Sequence, residues 1–157
     1  MTRTRSRLTV AVLAAVLGAG LIVAGCGSDS KDDYKKDVTA AAKQFQTDAQ
    51  QAGTALSASR SPTQVKAAAG QFKTAVNTFT NKLNSLDPPS DAKDEQDKLV
   101  TDLKSFSSTV DQVSTEVAKA SSGGDASGLT ALVPKLQSDV QNVQADAQNL
   151  QDAVNES

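Results

Sequence analysis

Histidine and tryptophan are absent from this chain of 157 residues, cysteine and tyrosine occur once each, and aromatic residues make up only 3% of it. Each absence removes a class of chemistry. Without histidine there is no imidazole base, no Ser-His-Asp triad and no zinc site of the usual kind. Serine and threonine are plentiful, yet none stands in a Gly-x-Ser-x-Gly elbow, and no glycine-rich loop is spaced to cradle a phosphate. A ferritin-like metal bundle projects Glu and Glu-x-x-His inward, and the chain has neither pattern. The Asp-x-Asp-x-Asp-Gly loop of a calcium site is missing as well. With so thin a repertoire the chain is expected to be no enzyme and to carry no cofactor.

What is present begins with an apolar run from Leu8 to Gly25, preceded by Arg3, Arg5 and Arg7 and closed by small residues, which is the layout of a secretory signal. The last four residues of this region, Val23-Ala24-Gly25-Cys26, resemble the lipobox of bacterial lipoproteins. That resemblance implies diacylglyceryl transfer onto the Cys26 thiol and cleavage between Gly25 and Cys26. The thiol is then spent as a thioether, with no redox or metal role left to it. Two acyl chains, at ~0.8 kcal/mol per buried CH₂, make a stable anchor where one is marginal. The alternatives are a plainly cleaved secreted protein and an uncleaved anchor helix, the latter because the run lies near the lower limit of ~18 residues for a bilayer span. Gly18, Gly20 and Gly25 weaken that alternative, each costing roughly 1 kcal/mol in a helix relative to alanine. The expected location is the outer face of the cytoplasmic membrane.

Residues 1–25 thus read as a lipoprotein signal peptide, 26–31 as the lipidated cysteine with a polar tether, and 32–157 as one domain. The whole chain holds 16 basic and 18 acidic residues. Cleavage takes three arginines away, leaving 13 basic against 18 acidic and a net charge of −5. That balance disfavours nucleic acid and anionic membrane surfaces as partners, since both call for a basic footprint.

Along 32–157 the apolar residues recur at alternating spacings of three and four. A first helix is expected over about 32–59, with its stripe at Val38, Ala41, Ala42, Phe45, Ala49, Ala52 and Leu56. Ser61-Pro62-Thr63-Gln64 is a helix start, with Ser61 as cap, Pro62 at the first helical position and Gln64 closing a capping box. The second stripe is Val65, Ala69, Phe72, Val76, Phe79, Leu83 and Leu86. Pro88 and Pro89 end that helix, and Ser90 is the expected cap of the next. The third stripe is Leu99, Leu103, Phe106, Val110, Val113, Val117 and Ala120, broken by Gly123-Gly124 with Asp125 as the following cap. The fourth is Leu129, Val133, Leu136, Val140, Val143, Ala147, Leu150 and Val154. Pro134 inside it is expected to cause a kink or a restart.

No segment alternates with period two, so strands are not expected. Four amphipathic segments joined by short turns bury their stripes against one another, which predicts an all-α fold: an up-down-up-down antiparallel four-helix bundle roughly 40 Å long. An elongated hairpin array or a coiled-coil oligomer fits the same heptads. The first helix buries mainly alanine, so the core is expected to be narrow, with little room for a ligand. None of the stripe positions holds Asp or Glu, and a core free of carboxylates is expected. Ala41-Ala42-Lys43-Gln44-Phe45-Gln46-Thr47 echoes Ala68-Ala69-Gly70-Gln71-Phe72-Lys73-Thr74, either through a shared core role or as a pseudo-repeat.

Two surface features stand out. A glutamine stripe, Gln137, Gln141, Gln144, Gln148 and Gln151, follows one position behind the fourth seam and suits a polypeptide or glycan contact, or simply flanks the core. Acidic residues gather at the starts of the first helix (Asp32, Asp33, Asp37) and the third (Asp91, Asp94, Glu95, Asp97), where helix dipoles favour anions. Cation binding is the other reading of that cluster. Beyond the lipobox, the architecture of an Arg-rich signal, two helical hairpins and a Pro-Pro turn resembles the small, Ala-rich helical lipoproteins of high-GC Gram-positive bacteria. Only the role of Cys26 carries over from that resemblance. The expected function is a non-enzymatic, lipid-anchored interaction or structural module facing a protein partner at the cell envelope. The alternative is a lipoprotein that binds a small ligand or divalent cation.

Overall fold

A computed structural model describes residues 29–59, 61–125 and 127–155. The signal region and the lipobox, Cys26 included, lie outside the described residues. Four α-helices account for nearly all of what is described: α1 (Asp29–Ala58), α2 (Pro62–Asn84), α3 (Lys93–Ser121) and α4 (Ser127–Asn155). Among the described residues there is no strand. The described part of the protein is therefore all-helical. Its first helix starts earlier than the stripe suggested: Asp29, Ser30 and Lys31, read above as tether, form the first turn of α1. That turn has a tertiary hold, since Lys31 Nζ pairs with Asp91 Oδ2 at 2.9 Å.

Local chemistry sets most of the helix ends. At α2 the capping box forms in full, with Ser61 Oγ accepting the Gln64 N–H at 3.3 Å and Gln64 Oε1 accepting the Ser61 N–H at 3.1 Å. The end of α3 is a Schellman turn. Gly123 takes the left-handed conformation at φ 87°, Gly124 N–H donates to Lys119 O at 3.0 Å, and Gly123 N–H donates to Ala120 O at 3.4 Å. Asp125 then accepts the N–H of Ser127, the first residue of α4, at 3.0 Å.

Two ends depart from the expectation. The cap of α3 is Ala92, not Ser90, and it makes no side-chain cap bond. Ala92 is fully buried, its N–H donates to Pro89 O and its carbonyl accepts the Gln96 N–H. A methyl group plugged into the core outweighs the ~1 kcal/mol a polar cap supplies. Helix α4 also runs through Pro134 without the expected restart. Pro134 and Thr130, whose carbonyl loses its usual partner, are both exposed, so solvent is within reach of the missing bond, while Leu136 stays buried and holds the helix in place.

Each helix packs on the next in sequence, α1 on α2, α2 on α3 and α3 on α4. Every residue of the four stripes is buried or half-buried. The centre holds Val76, Leu83, Leu99, Leu103 and Phe106, each with 1% exposure or less. Phe45 stacks on Phe79 with ring centroids 5.0 Å apart, and Phe72 meets Phe106 edge-on at 5.6 Å. Both echoed heptapeptides thus place their phenylalanine in the core. Tyr34, one turn ahead of Val38, extends the α1 seam and is buried, a core residue the stripe left out. Burial is uneven along the helices. It is deepest around the α2–α3 turn and the start of α1, and it thins toward the α1–α2 and α3–α4 turns, where Leu56, Val65, Val113, Val117, Leu129 and Val133 are only half-buried.

Candidate functional site

The buried aspartates of the described residues lie between α3 and α4. Asp139 and Asp146 are buried at 8% and 1% exposure, which corrects the expectation of a core without carboxylates. They stand seven residues apart, each immediately before a seam residue (Val140, Ala147), and so turn toward α3 along one flank of α4. Opposite them on α3 stand Thr109 and Asp102, also seven apart. The result is two polar layers one heptad from each other.

In the first layer the Thr109 hydroxyl donates to Asp139 Oδ2 and accepts from Lys135 Nζ at 2.6 Å. Lys135 Nζ also reaches Asp139 Oδ2 at 3.0 Å, so this layer is supplied with donors. In the second, Lys98 Nζ bridges to Asp146 Oδ1 at 2.5 Å, and Asp146 beside it raises the ammonium's pKa. Asp146 Oδ2 is buried and has no donor, as is Glu95 Oε2 one turn before Lys98. Burial lifts the Asp102 carboxyl above the ordinary aspartate value of 3.8, and its hydrogen-bonding contact with Asp146 lifts it further.

The acidic ends behave differently. Lys31 on α1 pairs with Asp91 just ahead of α3, and Tyr34 Oη donates to Gln96 Oε1 at 2.7 Å, so the starts of α1 and α3 do lie side by side. Burial pushes the Tyr34 phenol well above its ordinary range. Asp94 and Glu95 occupy the first turn of α3, where the dipole favours them. Among the described residues no group of three acidic side chains converges as a cation would require.

The glutamine stripe divides. Gln137, Gln141 and Gln148 are exposed, whereas Gln144 and Gln151 are half-buried. Gln151 belongs to the wall of a small apolar cavity shared by Val38 of α1, Phe79 of α2, Leu99 of α3 and Leu150 and Val154 of α4. Its volume of about 30 Å³ is space for one or two water molecules.

Sequence reasoning missed Asp139 and Asp146 because it scored the seam positions and not the positions beside them. The signal was there: two aspartates at heptad spacing on α4, facing a threonine and an aspartate at heptad spacing on α3. Fold and site together define a small four-helix protein with a charged seam between its last two helices. No known protein family, characterised protein or solved structure matches the chain. Among the described residues, no helix is long and apolar enough to cross a membrane.

Proposed function

We propose that this chain is a non-enzymatic lipoprotein, anchored through Cys26 at the outer face of the cytoplasmic membrane, whose helical domain serves as an interaction or structural module at the cell envelope. The observation that carries the reading is the lipobox set directly ahead of α1. Only Gly27 and Ser28 separate Cys26 from the first helical residue, Asp29. An anchor joined so closely to a helix holds the domain against the bilayer.

Cross-helix pairs support an up-down-up-down arrangement of the four helices. Residue numbers rise together in the α1–α3 pairs (Lys31 with Asp91, Tyr34 with Gln96). They run oppositely in the α2–α3 pairs (Lys73 with Asp111, Asn77 with Ser107) and in the α3–α4 pairs (Lys98 with Asp146, Thr109 with Asp139). In that arrangement the deeply packed end, with Tyr34, Leu83, Ala92 and Leu99, faces the membrane. The half-buried end around the α1–α2 and α3–α4 turns stands roughly 40 Å away at ~1.5 Å per residue. Its apolar residues, together with Gln137 and Gln141 on the adjoining face of α4, form the surface offered to a partner.

The anchoring is tested by Cys26→Ala, which should release the protein to the medium, whereas the unaltered chain sediments with membranes; retention of the variant would sink the reading. The interaction is tested by a photocrosslinking residue at Gln137 in intact cells. A reproducible envelope protein in the adduct supports the module, and adducts with the same chain alone would replace it with a homo-oligomeric spacer.

A further inference from the structure

Asp146 is 1% exposed, and one of its two oxygens is supplied by Lys98 while the other, Oδ2, is enclosed without a donor. A buried acceptor left empty is costly, more so when it is charged, so a folded chain rarely leaves one in this state. The nearest neighbour across the α3–α4 contact that acts on Asp146's side is another acid. Asp102 follows one helical turn after Lys98, which grips Asp146 across the α3–α4 contact, and burial together with Asp146 beside it raises the Asp102 carboxyl's pKa. Two ionised carboxylates have no hydrogen to place between them. One proton on the pair supplies the missing donor and removes their repulsion together.

We propose that Asp102 and Asp146 share one proton across the α3–α4 contact, and that this contact is an acid-stabilised clasp, tightest when the proton is held and loosened when it leaves. The charge balance around the pair favours this. Lys98 neutralises one of the two carboxylates, and Asp139 on α4 adds a further negative charge that opposes a second ionisation. Glu95 acts on Lys98 from the preceding turn. Lys135 is engaged by Asp139 and Thr109 one layer away. On the other side of α3, the Lys73 ammonium of α2 is held by Asp111. The charged groups that act most strongly on Asp102 all stand on α3 and α4. The Lys98 ammonium at Asp146 also argues against a metal ion in the same place.

The sign follows from linkage. A carboxyl whose pKa is raised by folding adds stability that is fully present below the unfolded value, 3.8, and is lost as pH climbs through the raised folded value. Ion-paired carboxylates elsewhere in the chain slope the opposite way, so the informative quantity is the difference between two profiles.

The test is the urea midpoint of the full chain from acid to neutral pH, for the parent, Asp102→Asn and Glu95→Gln. In Asp102→Asn an amide donates to Asp146 Oδ2 at every pH. The parent's midpoint, relative to that variant's, is expected to fall as pH rises past the ordinary aspartate value, leaving the variant the more stable at neutral pH. Glu95→Gln, which alters the other unpartnered buried oxygen, is expected to keep the parent's dependence. Parallel profiles for parent and Asp102→Asn, or a profile flattened by Glu95→Gln instead, would overturn the clasp. A carboxyl-carbon NMR titration of the unaltered chain reads the proton without any substitution. One of the pair titrating above the ordinary range supports the proposal, and both titrating at or below it removes the proposal.

Discussion

Tyr34 is the only tyrosine in a chain without tryptophan, so its ring reports on the fold with no background from other residues. Its phenol is buried and donates to Gln96, and burial raises its pKa above the ordinary value of 10.0. Stability from the protonated phenol is complete below that ordinary value and disappears as pH rises through the raised one. Phenolate absorbance is accordingly expected to stay absent at the pH where free tyrosine ionises and to appear together with alkaline unfolding; a tyrosine that ionises normally while helicity is retained would contradict the buried bond. Replacing it as Tyr34→Phe leaves Gln96 Oε1 enclosed without its donor and is expected to cost about 1–3 kcal/mol in urea unfolding. At this scale legibility was mixed. Buried stripe residues such as Val76 and Leu103 could be picked out because their spacing is a local pattern. Tyr34, Asp139 and Asp146 could not, because their burial depends on which neighbour covers the flank of each stripe.

Helix ends tell a similar story for the elements. The start of α2 was readable because a capping box closes within four residues and needs nothing from the rest of the molecule. Ser61→Ala should therefore lower stability by ~1 kcal/mol, read as a shift in the urea midpoint. The start of α3 was misread, since a buried methyl at Ala92 competes with a polar cap only once the core exists to receive it. Pro134 is the reverse case, a residue with poor local propensity that tertiary packing carries through the helix. Proline in a helix interior costs ~3 kcal/mol relative to alanine, offset by up to ~1 kcal/mol from its restriction of the unfolded chain. Pro134→Ala is thus expected to stabilise the protein by roughly 2 kcal/mol, and a neutral or destabilising result would mean that Pro134 shapes α4 in a way the continuous helix does not show.

For the molecule as a whole, the gradient of burial is the feature with consequences. Phe106 is enclosed and meets Phe72 edge-on, whereas Val117, three turns further along α3, is only half-buried. Phe106→Ala should cost about 3–5 kcal/mol, as a large cavity in a packed core does. Val117→Ala should cost well under half as much in the isolated chain. If the half-buried end is the surface offered to a partner, Val117→Ala should weaken crosslinking there while shifting the unfolding midpoint far less than Phe106→Ala does. Equal costs at the two positions would mean that the core is uniform and that this end is not set apart.

Taken alone, the sequence determined the helical class, the four stripes and the capping box of α2. These rest on periodicity and on strings of adjacent residues, and both act over one or two turns of chain. The three-dimensional structure decided which flank of each stripe is covered, and with it the burial of Asp139 and Asp146, the pairing of Tyr34 with Gln96, the plug at Ala92 and the passage of α4 through Pro134. Each of these is settled by a neighbour 30 or more residues away, or by a core that no single helix possesses, and periodicity within one helix carries no information about it.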